Sequence, residues 1–178
     1  MILRQALRAG AQSGAIMSAA DIGTQLFMEG KSLEGDYSWR RTLRWTIAGV
    51  FLHGPYFFTG FSVLDKHFGV ATSLQIVAKK TAAAQFFLFP PYLVALFGFM
   101  GVLEKHPNIP EKIRRRVPET FLSGCVFWPV ANILNFSFVS PTMRVPYLAF
   151  SAGIWNTYLS WTNAKGQEKF KSSEDDKL

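Results

Sequence analysis

The sequence predicts an all-α integral membrane protein, a helical bundle of four to five transmembrane helices. Three observations predict this fold. Charged residues make up only 17% of the 178-residue chain, against roughly 25% in soluble domains. Several stretches of about 20 residues carry almost no ionisable side chain, and this is the length that an α-helix needs to cross the hydrocarbon core of a bilayer. The Lys and Arg residues gather between these stretches, as they do in membrane proteins.

Five candidate membrane segments follow one another along the chain. In order, they are residues 9–28, 45–64, 81–103, 120–143 and 145–164. The first is the weakest because Gln12, Asp21 and Gln25 interrupt it. The third is the strongest because it holds no Asp, Glu, Lys, Arg or His and, at 1.5 Å per residue, reaches about 34 Å. If the first or last segment lies flat or re-enters, the count falls to four, so the sequence leaves four and five spans open.

One domain accounts for the chain length. We expect a single transmembrane helical domain over residues 1–164, with a basic stretch at its N-terminus, and a polar, flexible tail over residues 165–178. The first 20 residues are basic, contain Ala and Ser, and are free of acidic side chains until Asp21. This composition is typical of a mitochondrial targeting stretch.

The positive charges are distributed unevenly between alternate sides of the predicted spans. One side receives Lys31, Arg40, Arg41, Arg44, Lys105, Lys112, Arg114, Arg115, Arg116, Lys165, Lys169, Lys171 and Lys177. The other side receives Arg4, Arg8, Lys66, Lys79, Lys80 and Arg144. Because Lys and Arg in short loops bias which side a loop occupies, this imbalance predicts a fixed orientation in the bilayer.

The net charge of +7 raises the alternative of a nucleic-acid-binding protein. Phosphate binding needs basic residues gathered on one surface, whereas here they form short clusters beside apolar spans. The one dense run, residues 113–116, fits a loop that faces lipid headgroups. We therefore expect the lipid bilayer as the partner and no direct nucleic-acid binding.

Few residues suit catalysis or metal binding. The chain has one cysteine, Cys125, and three histidines without metal-ligand spacing, so no metal site is expected. No nucleophile with an adjacent base and no cofactor motif is present, which predicts that the protein is not an enzyme and needs no cofactor. Cys125 is a candidate redox gate, although a buried packing thiol is the favoured interpretation.

Small residues and prolines mark the predicted helices. A stripe of small side chains at four-residue spacing comprises Ala11, Ala15, Ala19 and Gly23, with Gly10, Gly14 and Ser18 beside it. Such a stripe lets a second helix approach closely, either within the bundle or in a homo-oligomer, and the first is favoured. Pro55, Pro90, Pro91 and Pro129 are expected to kink or break their helices.

Polar residues inside the spans are the leading functional candidates, because a charge at the bilayer centre costs at least about 2.5 kcal/mol. The predicted polar interior consists of Asp21, Gln25, Gln85, Asn132, Asn135, Arg144 and Asn156. We expect Asp21 to pair with Arg144 or with the asparagines. These residues either cross-link helices or line an aqueous path, and the sequence does not decide between the two.

The C-terminal third carries a specific motif. It comprises Trp128-Pro129, Asn132, Asn135-Phe136, Val139, Arg144 and the run Trp155-Asn156-Thr157-Tyr158-Leu159-Ser160-Trp161. Earlier features agree with it: Asp21 and Gln25, Gly54-Pro55, Leu64-Asp65, and Lys79 or Lys80 before Gln85. From about residue 10 to about residue 162, the chain resembles the Mpv-type, peroxisomal 22-kilodalton membrane protein family.

Two departures from the family pattern stand out. Ala84 occupies a position where the family usually has Asp, and the chain reads Val139-Ser140-Pro141 where the family usually has Val-Pro. The first removes an acidic side chain from the interior. The second alters the turn after the fourth span.

The resemblance implies a multi-span protein of the mitochondrial inner membrane or the peroxisomal membrane. Some members are thought to form weakly selective channels for small solutes or metabolites. Mitochondrial members are linked to membrane potential, reactive oxygen species and maintenance of mitochondrial DNA. The Trp155–Ser160 run resembles the mitochondrial branch. We therefore expect a channel of the mitochondrial inner membrane, with a non-conducting scaffold or a peroxisomal solute pore as alternatives.

Overall fold

The computed structural model describes residues 2–70 and 72–158. In these ranges the regular structure is helical, without a strand, and the predicted all-α bundle is confirmed. The helices are α1 (Ile2–Gly23, continued by a π-helical turn at Thr24–Met28), α2 (Trp39–Phe68), α3 (Leu74–Leu103), α4 (Ile109–Gly124), α5 (Phe127–Phe138) and α6 (residues 144–158). A short 3-10 turn, Pro141–Met143, precedes α6.

Two of these helices, α2 and α3, are long and apolar enough to cross a membrane. A third span results if α4 and α5, which meet at a bend of 60°, count as one broken span. The predicted count of four to five therefore stays a prediction. The end of the fifth predicted segment, with Leu159, Ser160 and Trp161, and the tail at 165–178 lie outside the described residues.

Residues 104–119, which separate the third and fourth predicted segments, are mostly helical, because Ile109–Gly124 forms α4. The side chain of Asn108 accepts a hydrogen bond from the Glu111 amide at 3.1 Å and caps the first turn, which satisfies a backbone donor that has no partner inside the helix. Arg114, Arg115 and Arg116 consequently project from an exposed helix. Residues 29–44, which separate the first and second predicted segments, are likewise partly helical, since α2 already begins at Trp39.

The prolines of α2 and α3 do not break these helices. A π-helical turn, Gly49–His53, lies immediately before Gly54-Pro55, and another, Ala84–Leu88, lies before Pro90 and Pro91. A proline ring clashes with the carbonyl four residues earlier, and a wider turn at that place relieves the clash. The sharp break of the chain lies instead between Gly124 and Phe127, just before Pro129.

The first two helices pack so closely that their glycines touch. A Cβ atom added to Gly14 would lie 3.1 Å from the Thr46 carbonyl oxygen, and one added to Gly10 would lie 2.5 Å from the Val50 carbonyl oxygen. Ser18 continues this stripe with a hydrogen bond to Thr46 at 2.5 Å. The neighbouring stripe makes no such contact. Its Ala11, Ala15 and Ala19 face outward, and a Cβ atom added to Gly23 would meet only Phe27, at 4.0 Å. The close approach is thus made within the chain, by Gly10, Gly14 and Ser18.

We predict that Gly54→Ala destabilises the protein by about 1–3 kcal/mol. The added methyl group would meet the Gly10 backbone and lie 2.6 Å from the Ala9 carbonyl oxygen, and backbone atoms cannot move aside as a side chain can. Gly98→Ala is the matched control in α3, since its Cβ atom would lie 3.6 Å from Ile113 in ordinary contact. Unfolding of the purified protein in detergent is the measurement. A loss for Gly54→Ala no larger than for Gly98→Ala would contradict the close approach.

An aromatic core holds the remaining helices together. It joins Phe57 and Phe61 of α2 to Tyr92 of α3, with Phe136 of α5 and Leu148 of α6. Each of these residues is at most 6% exposed. At roughly 1.5–3 kcal/mol for each large apolar side chain removed from water, this core fixes the helix arrangement that positions the polar groups.

Candidate functional site

The carboxylate of Asp21 is the centre of a buried polar cluster at one end of the bundle. Its Oδ2 accepts hydrogen bonds from Gln25 Nε2 at 2.8 Å and from Thr42 Oγ1 at 2.7 Å. Its Oδ1 lies 2.7 Å from Arg41 Nε in an ion pair. Because the Asp21 side chain is only 3% exposed, these partners from α1 and α2 replace the water that the carboxylate has lost.

Arg41 extends this cluster to the loop between α1 and α2. Its Nη1 donates to Glu29 Oε1 at 2.6 Å and to Oε2 at 2.8 Å, and Lys31 Nζ lies 2.9 Å from Glu29 Oε2. Burial opposes ionisation of Glu29, but the hydrogen bonds from Lys31 and Arg41 outweigh it and hold the pKa of this carboxyl below its ordinary value. The loop is therefore tied to both helices at neutral pH.

The expected pairing of Asp21 with Arg144 is wrong. Thr24, near Asp21, contacts Thr157 at 3.1 Å, and Thr157 lies 13 residues after Arg144. At 1.5 Å per residue, this places Arg144 about 20 Å farther along α6. Arg144 binds Asp65 instead, donating through Nη1 to both carboxylate oxygens at 2.7 and 2.8 Å.

Asp65 holds a second buried cluster at the opposite end of the bundle. Lys80 Nζ donates to Asp65 Oδ1 at 2.5 Å, and the side chains of Lys80 and Arg144 are 1% and 3% exposed. Both cations also lie over the Phe136 ring, at 5.6 Å and 5.3 Å from its centroid, where the ring face stabilises positive charge. Two cations thus share one carboxylate, and the cluster joins α2, α3 and α6.

Between these clusters lies a central cavity of about 210 Å³. Most of its wall is aromatic or aliphatic, and its polar lining residues are His53, Thr120, Asn132 and Asn156. Ala84 also lines the cavity, so the departure noted in the sequence leaves no carboxylate at this place. The two tryptophans Trp128 and Trp155 close one side, with ring centroids 6.5 Å apart.

Three side chains on the wall of the central cavity have polar atoms without a hydrogen-bond partner in the described part of the chain. They are Trp128 Nε1, Asn132 Oδ1 and Trp155 Nε1. The exposed fractions of these residues are 8%, 6% and 7%. Buried polar atoms without partners are uncommon in folded proteins.

Two more cavities lie beside the central one. The Asp21 cavity, of about 340 Å³, is lined by Asp21, Arg41, Arg44 and Glu104 and shares Met17, Trp45 and Asn156 with the central cavity. The Asp65 cavity, of about 270 Å³, is lined by Asp65 and Phe61 among others. Phe61 lies beside Phe57 of the central cavity, with ring centroids 5.6 Å apart, so each ring of this pair lines one of the two cavities.

Gln85 and Asn135 lie in the core but belong to neither charged cluster. Gln85 Nε2 lies 3.8 Å from the Cys125 sulfur, and Asn135 is fully buried. Cys125 itself is exposed, at the break between α4 and α5. The expectation of a buried packing thiol is therefore wrong, because the bend turns this residue to the outer surface.

The predicted polar interior is thus spread over the length of the bundle. Asp21 and Gln25 lie at one end, Asn132 and Asn156 at the central cavity, and Arg144 at the other end. Sequence reasoning missed Lys80 and Asp65 as members of a site. The signal that could have found them is the pairing of Leu64-Asp65 with Lys79 or Lys80 in the family motif.

Two apolar helices of membrane-spanning length, joined by the buried Lys80–Asp65 ion pair, define a small polytopic membrane protein. A sequence model of the Mpv17 / PMP22 family matches residues 101–160. The mitochondrial inner membrane protein Mpv17 of Drosophila melanogaster is 32% identical, over 89% of this chain and 95% of its own. The chain belongs to the Mpv17 / PMP22 family.

Other relatives agree with this membership. The PXMP2/4 family protein 4 of Dictyostelium discoideum is 31% identical over 72% of this chain and 70% of its own. Protein sym-1 of Neurospora crassa is 28% identical over 84% and 87%. No solved structure matches the chain.

Proposed function

We propose that this protein forms a weakly selective pathway for small solutes or metabolites through the mitochondrial inner membrane. The Mpv17 relatives named for that membrane and the acid-free N-terminus support this location. By its family resemblance, the pathway would serve membrane potential, control of reactive oxygen species and maintenance of mitochondrial DNA through metabolite supply. It needs no enzyme chemistry.

The observation that carries the proposal is that two cavities inside the bundle adjoin each other. The Asp21 cavity and the central cavity share Met17, Trp45 and Asn156 as lining residues, so a charged entrance would lie next to an apolar chamber. Asp21, Arg41, Arg44 and Glu104 line the entrance, and charges in such a place select among solutes. The Asp65 cavity would be the opposite entrance.

The Phe57–Phe61 pair would close this path. Phe57 lines the central cavity, Phe61 lines the Asp65 cavity, and both side chains are at most 6% exposed. An apolar constriction of this kind stops water and ions without a charged plug. The structure then corresponds to a closed state, which opens when the two rings separate.

We predict that Phe57→Ala combined with Phe61→Ala raises conductance several-fold over the unaltered protein in planar bilayers, because both rings leave the constriction. Phe51→Ala is the matched control on the same helix, since Phe51 is 70% exposed on the outer surface. Equal conductance of the two variants would place the path elsewhere. Absence of current from every form, across voltages and redox conditions, would refute the channel.

The second candidate is a non-conducting scaffold or stress-response assembly factor. One observation favours it. Asp21 and Arg144 each form an ion pair that joins two helices, and such pairs are typical of structural cross-links. A homo-oligomer formed through the outward-facing Ala11, Ala15 and Ala19 would suit such a role. Bilayer recordings separate the two functions. Fractionation of a tagged protein separates the mitochondrial location from the peroxisomal one.

A further inference from the structure

The end of the bundle that holds Asp65 is strongly positive. The residues that line the Asp65 cavity or bind the Asp65 carboxylate lie within residues 2–12, 58–82 and 139–146. The described residues of these ranges include one acidic side chain, Asp65, and six basic ones: Arg4, Arg8, Lys66, Lys79, Lys80 and Arg144. An excess of positive charge gathered at a cavity attracts anions.

The buried cluster at Asp65 does not remove this excess. Lys80 and Arg144 both contact the Asp65 carboxylate, so two positive charges face one negative charge. Asp65 lines the cavity, whereas Lys80 and Arg144 do not. The two cations therefore lie behind the carboxylate, and the wall of the cavity stays positive on balance.

Side chains that suit a phosphate group line the polar part of the Asp65 cavity. Besides Asp65, they are Gln5, Arg8, Gln12, Ser62 and Thr142. Arg8 is exposed and forms no ion pair in the described part of the chain. A guanidinium group can bind two phosphate oxygens at once, and amide and hydroxyl groups can donate to the others. The hydroxyl of Ser62 already donates to the Phe58 carbonyl oxygen at 2.7 Å.

The rest of the Asp65 cavity is apolar and lies toward the bilayer core. Phe58, Phe61 and Val145 line this part, and both phenylalanines belong to the uncharged segment 45–64. Asp65 follows directly after that segment, at the level where a span ends and lipid headgroups begin. A molecule that fits both parts of the cavity has an anionic head and an apolar body, as a phospholipid has.

We propose that the Asp65 cavity binds the headgroup of an anionic phospholipid, with Arg8 as the main contact of its phosphodiester. Basic pockets between membrane helices bind such headgroups. This inference goes beyond the solute pathway. A headgroup in this place would occupy the entrance assigned to that pathway, but binding is measured without conduction, so the failure of one proposal is distinguishable from the failure of the other.

The test is a phosphorus NMR titration of the full chain, purified in dodecyl maltoside, with dioctanoyl phosphatidylglycerol. We expect saturable binding, about tenfold tighter than that of dioctanoyl phosphatidylcholine, because the choline cation would face the positive end of the bundle. Inorganic phosphate should also bind about tenfold more weakly, because it leaves the apolar part of the cavity unfilled. Equal binding of the two lipids would overturn the preference for an anionic headgroup. Equal binding of inorganic phosphate would make this a site for free anions and overturn the lipid as its occupant.

Three variants locate the bound lipid. Arg8→Gln keeps a polar side chain but removes the charge, and we expect about tenfold weaker binding of phosphatidylglycerol. Arg4→Gln is the matched control, because it removes the same charge one helical turn away, from a residue that does not line the cavity. Ser62→Glu places a carboxylate on the exposed wall of the cavity and should abolish binding by repulsion.

Circular dichroism confirms the fold of each variant first. If Ser62→Glu does not fold, the comparison of Arg8→Gln with Arg4→Gln still decides the result. Equal losses in these two variants would show a general attraction between the lipid and a positive surface, and would overturn the assigned site. Undiminished binding to a folded Ser62→Glu protein would likewise exclude the cavity as the place where the headgroup lies.

Discussion

Asp65→Ala is expected to destabilise the bundle by about 3–5 kcal/mol, the usual cost of removing one partner from a buried ion pair. Lys80 and Arg144 would remain with side chains 1% and 3% exposed and without the carboxylate that both contact. The Phe136 ring would still face both cations, but an aromatic face replaces only part of a full negative charge. The two cations would then repel each other in a medium of low polarity.

Unfolding in mixed micelles, followed by circular dichroism, measures this loss. Glu119→Ala is the matched control, because Glu119 pairs with Arg115 and Arg116 on the exposed face of α4, and we expect a change within about 0.5 kcal/mol. Replacing all three buried charges by apolar side chains of similar volume should recover most of the stability. A loss for Asp65→Ala as small as that for Glu119→Ala would contradict the cluster.

The membrane helices themselves were predictable because their signal is local. The uncharged segments at 45–64 and 81–103 fall inside α2 and α3, since twenty apolar residues suffice to indicate a span wherever they lie. The Gly10 and Gly14 stripe was predictable for the same reason, because it is read from one helix alone.

The charged clusters were not predictable because their signal is tertiary. Lys80 lies just outside the uncharged third segment, where a positive charge normally faces water or headgroups. It is buried because α3 begins already at Leu74 and because Asp65 of α2 is its partner. The error over Arg144 has the same origin, since the register of α6 against α1 cannot be read from either sequence.

The prolines illustrate a third kind of limit. Pro55, Pro90 and Pro91 correctly predict where α2 and α3 are distorted. They do not predict the kind of distortion, because the chain accommodates these prolines with π-helical turns. These turns carry buried polar side chains, His53 before Pro55 and Gln85 before Pro90. Whether a helix breaks or widens at a proline depends on the neighbours that satisfy the freed carbonyl groups.

Asp21→Ala is expected to cost roughly 2–4 kcal/mol, somewhat less than Asp65→Ala. Gln25 and Thr42 would lose their shared acceptor. Arg41, however, would keep Glu29 as a partner and, with a side chain 29% exposed, would regain some hydration. The remaining penalty comes mainly from the two buried donors. Gln25 Nε2 would keep only its longer hydrogen bonds to Ser38 O and Thr42 Oγ1, and Thr42 would keep the Tyr37 hydroxyl.

Double-mutant cycles separate the observed pairing from the one that the sequence suggested. Asp21→Ala with Arg41→Ala should show a coupling free energy of about 0.5–3 kcal/mol, because the two side chains touch. Asp21→Ala with Arg144→Ala should be additive within about 0.5 kcal/mol, because these groups lie at opposite ends of the bundle and share no partner. Coupling between Asp21 and Arg144, or its absence between Asp21 and Arg41, would require a different register of α6 against α1 and would remove the separate charged entrances on which the solute pathway depends.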